Sequence, residues 1–118
     1  MNIFEEYLNK VNKVLGKDSK SLGLKELNSF KNISIEIPPS NFDYDLSCNA
    51  SLVLSKLNKL NPLELSIKIK DLLSKEIKDF KKIEIAGPGF LNIRLSNEAL
   101  IRIMNEIFKG KKKYGAKK

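Results

Sequence analysis

Two strands joined by a tight turn are written into Glu84-Ile85-Ala86-Gly87-Pro88-Gly89-Phe90-Leu91-Asn92-Ile93-Arg94-Leu95, and this hairpin limits what the rest of the chain can build. Alternation in the second strand is clean. Leu91, Ile93 and Leu95 share one face, and Phe90, Asn92 and Arg94 share the other. The first set is the core face. The second puts a ring, an amide and a guanidinium side by side. A ring stacks on a base, an amide reads a base edge, and a guanidinium holds a phosphate, which are the contacts that single-stranded or looped RNA offers. The same alternation also describes a hairpin with a polar outer face whose Phe90 packs beneath a helix, so the pattern alone leaves both readings open.

The remaining elements fall into place around this hairpin. Phe4, Tyr7, Leu8, Val11, Val14 and Leu15 recur at spacings of three and four, the stripe of an amphipathic helix over residues 3–15, and Gly16 follows as a stop. Residues 17–32 read as a loop with one short helical turn around Leu24–Leu27. Ile33, Ile35 and Ile37 alternate with Ser34 and Glu36, a half-buried strand that Pro38-Pro39 ends because proline cannot donate to a ladder. Ser40-Asn41 makes a turn, and Phe42–Ser47 is a second short strand. A helix begins near Asn49, capped by Asn49 or Ser47, and buries Ala50, Val53, Leu54 and Leu57. Asn61-Pro62-Leu63-Glu64 is a further helix start, with Asn61 as cap and Pro62 in the first position. That helix runs to about Lys75 or Ile77 with Leu65, Ile69, Leu72 and Leu73 inward. Lys82–Ala86 is a strand with Ile83 and Ile85 inward. After Phe90–Leu95, Ser96 caps a helix through Phe108 that presents Ala99, Leu100, Ile103, Met104 and Ile107.

The order α-β-β-α-α-β-β-α predicts an α+β two-layer sandwich. Its antiparallel sheet has about four strands and helices on one face only. The open face then carries Phe90, Asn92 and Arg94.

At 118 residues and 42% hydrophobic, the chain has apolar material for a single core, and no apolar run is long enough to cross a membrane. The start Met1-Asn2-Ile3-Phe4-Glu5-Glu6 lacks a signal peptide's basic residues, and the lone Cys48 has no disulfide partner; both fit a cytoplasmic location. Histidine is absent, which removes the commonest general base and the commonest zinc ligand. No nucleophile therefore has a histidine to activate it, and Gly87-Pro88-Gly89 lacks the lysine and hydroxyl residue of a phosphate loop. Asp43 and Asp45 would share a strand face and could hold magnesium, but a cap and a solvated charge explain the pair more simply. Cys48 is best read as a small core residue. No metal site is expected.

The net charge of +8 is unevenly spread. Residues 109–118 hold six lysines and no acid, so the body of the domain carries only +2. Lys111, Lys112 and Lys113 are expected to attract phosphate backbones without sequence preference, although a lysine run is also the usual composition of a solvated linker.

Three stretches taken in order resemble the N-terminal additional domain of bacterial arginyl-tRNA synthetases. The first is Pro38-Pro39 with Asp45-Leu46-Ser47-Cys48-Asn49-Ala50 and the helix through Lys56. The second is Asn61-Pro62 with its helix. The third and most specific is Ile83 through Leu95. The resemblance extends from about Met1 to Tyr114-Gly115. It implies a parent class I synthetase that joins arginine to tRNA-Arg using ATP with magnesium. It also implies an additional domain that reads an unstacked D-loop nucleotide at the outer corner of the tRNA. The aromatic and amide positions of that contact fall on Phe90 and Asn92, with the Gly87 backbone beside them. Tyr44 stands where the family usually has glycine before the aspartate, which puts that local backbone in doubt and adds a ring to the surface. The family's ATP signature contains two histidines and lies downstream, so this chain is expected to carry no catalytic residue and no cofactor of its own. Residues 1–108 are then the recognition domain, and residues 109–118 a linker toward the catalytic domain of the same polypeptide. Two other uses suit the same pattern: a free-standing RNA- or ribosome-binding α+β protein, and a protein–protein docking module.

Overall fold

The computed structural model describes residues 3–25, 32–38, 44–87 and 89–115, with side chains described as far as Ile107. Its elements in chain order are α1 (Ile3–Lys17), α2 (Ser19–Leu22), β1 (Ile35–Glu36), β2 (Leu46–Cys48), α3 (Ala50–Asn58), α4 (Pro62–Glu76), β3 (Phe80–Ala86), β4 (Phe90–Leu95) and α5 (Asn97–Gly115). The strands form one antiparallel sheet in the order β1-β2-β4-β3. Leu46 and Cys48 on β2 and Leu91, Ile93 and Leu95 on β4 are buried with Tyr7, Val11 and Leu15 of α1, Leu54 of α3, and Leu65, Ile69 and Leu73 of α4. This is the expected α+β two-layer sandwich with an open sheet.

The register decides which side chains meet on the other face. Glu36 stands opposite Ser47, Ser47 opposite Asn92, and Asn92 opposite Glu84. Side chains directly opposite on neighbouring strands are about 5 Å apart. The four residues therefore form one row across the outer face.

Local signals worked where they were strong. Asn61 Oδ1 accepts from the Glu64 amide at 3.0 Å, and Pro62 opens α4. Ser96 Oγ accepts from the Ala99 amide at 3.1 Å at the start of α5. Other expectations need correction. The helical turn in the first loop lies at Ser19–Leu22, ahead of Leu24, while residues 26–31 lie outside the described set. Ile37 is not inward: it is 68% exposed, because β1 pairs only at Ile35 and Glu36 before Pro38. The strand expected over residues 42–47 pairs as Leu46–Cys48, and residues 39–43 lie outside the described set. Asn49 does not cap α3 with its side chain. Its Oδ1 instead accepts from the Ser34 amide at 2.7 Å, tying α3 to the approach to β1. Leu57 is exposed, whereas Ser51 and Ser55 are buried. Small side chains let α3 lie close to α4, where Ser66 is also buried. Phe80 joins the core and begins β3 two residues earlier than expected.

α5 departs furthest from expectation. It runs on past Phe108 to Gly115, as lysine's good helix propensity allows. Ala99 and Ile103 are buried, but Met104 and Ile107 are exposed, as is Ile101. A helix of this length spans about 28 Å, longer than the sheet's strands, and from Met104 to Ile107 its side chains are exposed. Its start is held firmly. The Ser96 amide donates to the Asp79 carbonyl at 2.8 Å. The Asp79 carboxylate accepts from Tyr7 Oη at 2.9 Å and from Arg102 Nη2 at 2.5 Å, with Lys10 Nζ at 3.8 Å. α1, the α4–β3 turn and α5 thus meet on one carboxylate.

Candidate nucleic-acid interface

The β3–β4 turn is built for close approach on both sides. Gly87 has φ +59°, and nothing lies within 4 Å of where a Cβ would stand, so its outer side is open. Gly89 has φ +141°, and a Cβ there would come 2.9 Å from Cα and N of Leu52. Its carbonyl accepts from the Leu52 amide at 3.0 Å. Only glycine fits such a position, where the backbone is in the left-handed half of conformational space and another backbone lies against it. The hairpin tip is therefore fixed to the first turn of α3.

From that anchored turn β4 presents its two faces. Leu91, Ile93 and Leu95 are buried, while Phe90 is 37% exposed and Asn92 and Arg94 are half-buried. Phe90 is thus on the surface. Together with Asn92, Ser47, Glu36, Ile37 and the turn at Ala86 and Gly87, it lines an open cleft of about 370 Å³. Phe90, Asn92 and Gly87, singled out from sequence, come together in this one cleft. The Asn92 amide makes no side-chain hydrogen bond among the described residues.

Arg94 and Tyr44 lie beside the cleft. The Tyr44 ring is buried, with the Arg94 guanidinium 5.7 Å and Lys82 Nζ 5.9 Å from its centroid, and its hydroxyl donates to the Glu84 carboxylate. Its ring is covered, and what it offers the surface is support for two cations. Asp45 closes the end of the ladder: its amide donates to Ile93 O at 2.8 Å, and its carboxylate accepts from the Leu95 amide at 2.8 Å. That carboxylate serves the backbone; Asp43 lies outside the described residues. Among the described residues, no group of three or more acidic or cysteine side chains is placed to hold a metal ion. Cys48 is fully buried, and burial pushes its thiol up to about 11, out of the reactive range. Lys111, Lys112 and Lys113 ride on the α5 backbone, and their side chains lie outside the described set.

Sequence reading missed Glu36, Ser47 and Ile37 as part of this surface. Ser47 and Glu36 each stood on an outward position of a predicted strand, which was a usable signal. The pairing of β2 with β4 that brings them to Asn92 was not visible in any local pattern.

A family model for the arginyl tRNA synthetase N terminal domain matches residues 3–95. The chain belongs to that family. An arginine–tRNA ligase of Pelagibacter ubique is 36% identical to it over 115 residues, 98% of this chain and 20% of the relative. One from Staphylococcus carnosus is 37% identical over 117 residues, with 98% and 20% covered. A third, from Thermotoga petrophila, is 43% identical over 81 residues, 69% of this chain and 15% of the relative. This arginyl-tRNA synthetase N-terminal domain spans about a fifth of the length of the curated relatives it matches. The family match covers every strand of the sheet and all of the cleft, and it ends where α5 begins. Among the described residues, no helix is long and apolar enough to cross a membrane.

Proposed function

We propose that this domain is the tRNA-recognition part of an arginine–tRNA ligase. In this reading the outer sheet face holds an unstacked D-loop nucleotide at the outer corner of tRNA-Arg. The observation that carries the proposal is the convergence of three groups on one cleft: the exposed Phe90 ring, the free Asn92 amide and the open backbone at Gly87. A base entering there stacks on Phe90 and meets the amide with its edge, while Lys82 and Arg94, propped on Tyr44, lie alongside for the phosphates. The lysines of residues 109–118 add attraction without selectivity. Those residues lead toward the catalytic domain of the same polypeptide, and ATP with magnesium is used there, away from the domain described. A cytoplasmic setting suits such a partner.

The test is a titration of this chain with tRNA-Arg and with an unrelated tRNA at fixed salt. Wild type should prefer tRNA-Arg. Phe90→Ala should weaken that binding about tenfold or more, since stacking a base on an aromatic ring is worth about 1–3 kcal/mol. If Phe90→Ala binds tRNA-Arg as wild type does, the ring is not the platform and the proposal fails.

A further inference from the structure

We infer that Glu36 selects the base held beside Phe90, favouring bases with an exocyclic amino group over uracil. The inference rests on the RNA-facing reading above. Glu36, Ser47 and Asn92 are neighbours in one cross-strand row, and all three line the cleft with Phe90. Glu36 is exposed and makes no ion pair or side-chain hydrogen bond among the described residues. Glu84, at the far end of the row, differs, because the Tyr44 hydroxyl already donates to it. Among the described residues, no lysine or arginine lines the cleft; the nearby cations flank Tyr44 instead.

These groups set the polarity of the cleft. A carboxylate only accepts, whereas a serine hydroxyl and an asparagine amide can donate or accept. With one uncompensated negative charge and no cation among its described lining residues, the cleft repels a phosphate and welcomes a hydrogen-bond donor. Adenine, cytosine and guanine each bring an amino group that donates. Uracil instead presents two carbonyls around a single N–H. One of those carbonyls would face the carboxylate, leaving two acceptors opposed and unpaired. Stacking on Phe90 cannot make this distinction, because every base has a π-face. The discrimination must come from the row, and Glu36 is its one charged member without a protein partner among the described residues.

The experiment uses the full 118-residue chain and hairpin RNAs that reproduce the D-arm of tRNA-Arg. They differ in one unpaired loop nucleotide, which is A, C, G or U. At fixed salt, the three amino-bearing loops should bind about tenfold or more tighter than the U loop. Glu36→Gln offers a donor as well as an acceptor and should bring the U loop within about threefold of the others. Glu36→Ala should flatten the ratio as well. Because Glu36 is exposed, all variants should melt like wild type. Three results overturn the inference while leaving RNA binding intact: wild type ignores the loop base yet still depends on Phe90; Glu36→Gln keeps the wild-type ratio; or Glu36→Gln strengthens all four loops equally, which makes Glu36 a general repeller of phosphates. If no loop binds in a Phe90-dependent way, the RNA-facing reading itself fails and this inference falls with it.

Discussion

Phe90 and Ile93 lie on one strand and face opposite ways, so their truncations separate recognition from stability. Ile93→Ala removes a fully buried side chain and should cost about 2–5 kcal/mol, seen as early thermal melting. Phe90→Ala should melt close to wild type and lose RNA affinity instead. If the two variants melt alike while the surviving Phe90→Ala protein binds RNA normally, Phe90 is a core residue. Gly89→Ala belongs with Ile93. Its new Cβ would meet Leu52 backbone at 2.9 Å in a conformation that L side chains avoid, so we expect a loss of about 2–4 kcal/mol by chemical denaturation. Gly87→Ala meets no such wall, and its cost should be smaller. Asp79 and Tyr7 make the stability pH-dependent at both extremes. Burial raises the Asp79 carboxyl, but the hydrogen bonds from Tyr7 and Arg102 and the charges of Arg102 and Lys10 outweigh it and hold the group below its ordinary value. Its contribution is therefore complete above the unfolded value of about 4 and is lost as pH falls through the depressed one. Tyr7 is pushed up to about 12, by burial first and then by the Asp79 hydrogen bond and charge. Its contribution is complete below about pH 10 and is lost as pH rises toward 12. Denaturation curves across the pH range should show a shallower acid limb for Asp79→Asn and no alkaline decline from this site for Tyr7→Phe.

At the scale of elements, the parts specified by neighbours in sequence were the legible ones. The β3–β4 turn with strand β4, the Asn61-Pro62 start of α4 and the Ser96 start of α5 depend on contacts a few residues apart, and they stand where the pattern puts them. What escaped was specified by distant contacts. Alternation alone extends β1 through Ile37, yet pairing stops at Glu36, because only β2 decides how much of that strand has a partner. Helical spacing places Leu57 inward, but α3 buries Ser51 and Ser55 instead. The candidate site divides the same way: Phe90 and Asn92 were readable on one strand, whereas Glu36 and Ser47 arrive through two non-local strand pairings. For α5, removal of residues 109–118 should weaken binding to all RNAs alike and flatten the dependence of log K on log salt. Selective loss of tRNA-Arg binding, with other RNAs spared, would make the segment a specific reader.

For the whole molecule, activity and recognition should separate. No histidine, activated nucleophile or phosphate loop is present in the sequence, so the 118-residue chain alone should show no arginine-dependent pyrophosphate exchange. Measurable exchange by the purified chain would overturn this expectation. The sheet order β1-β2-β4-β3 also governs how the molecule comes into being. β4 lies between β2 and β3 but leaves the ribosome after both. Synthesis adds about 5–20 residues each second, slow beside the microseconds that a hairpin needs to form. During that interval β2 waits with one hydrogen-bonding edge bare while α3, α4 and β3 are made. The outer face that carries Phe90 and Asn92 is therefore completed only when the last strand arrives and joins β2 to β3.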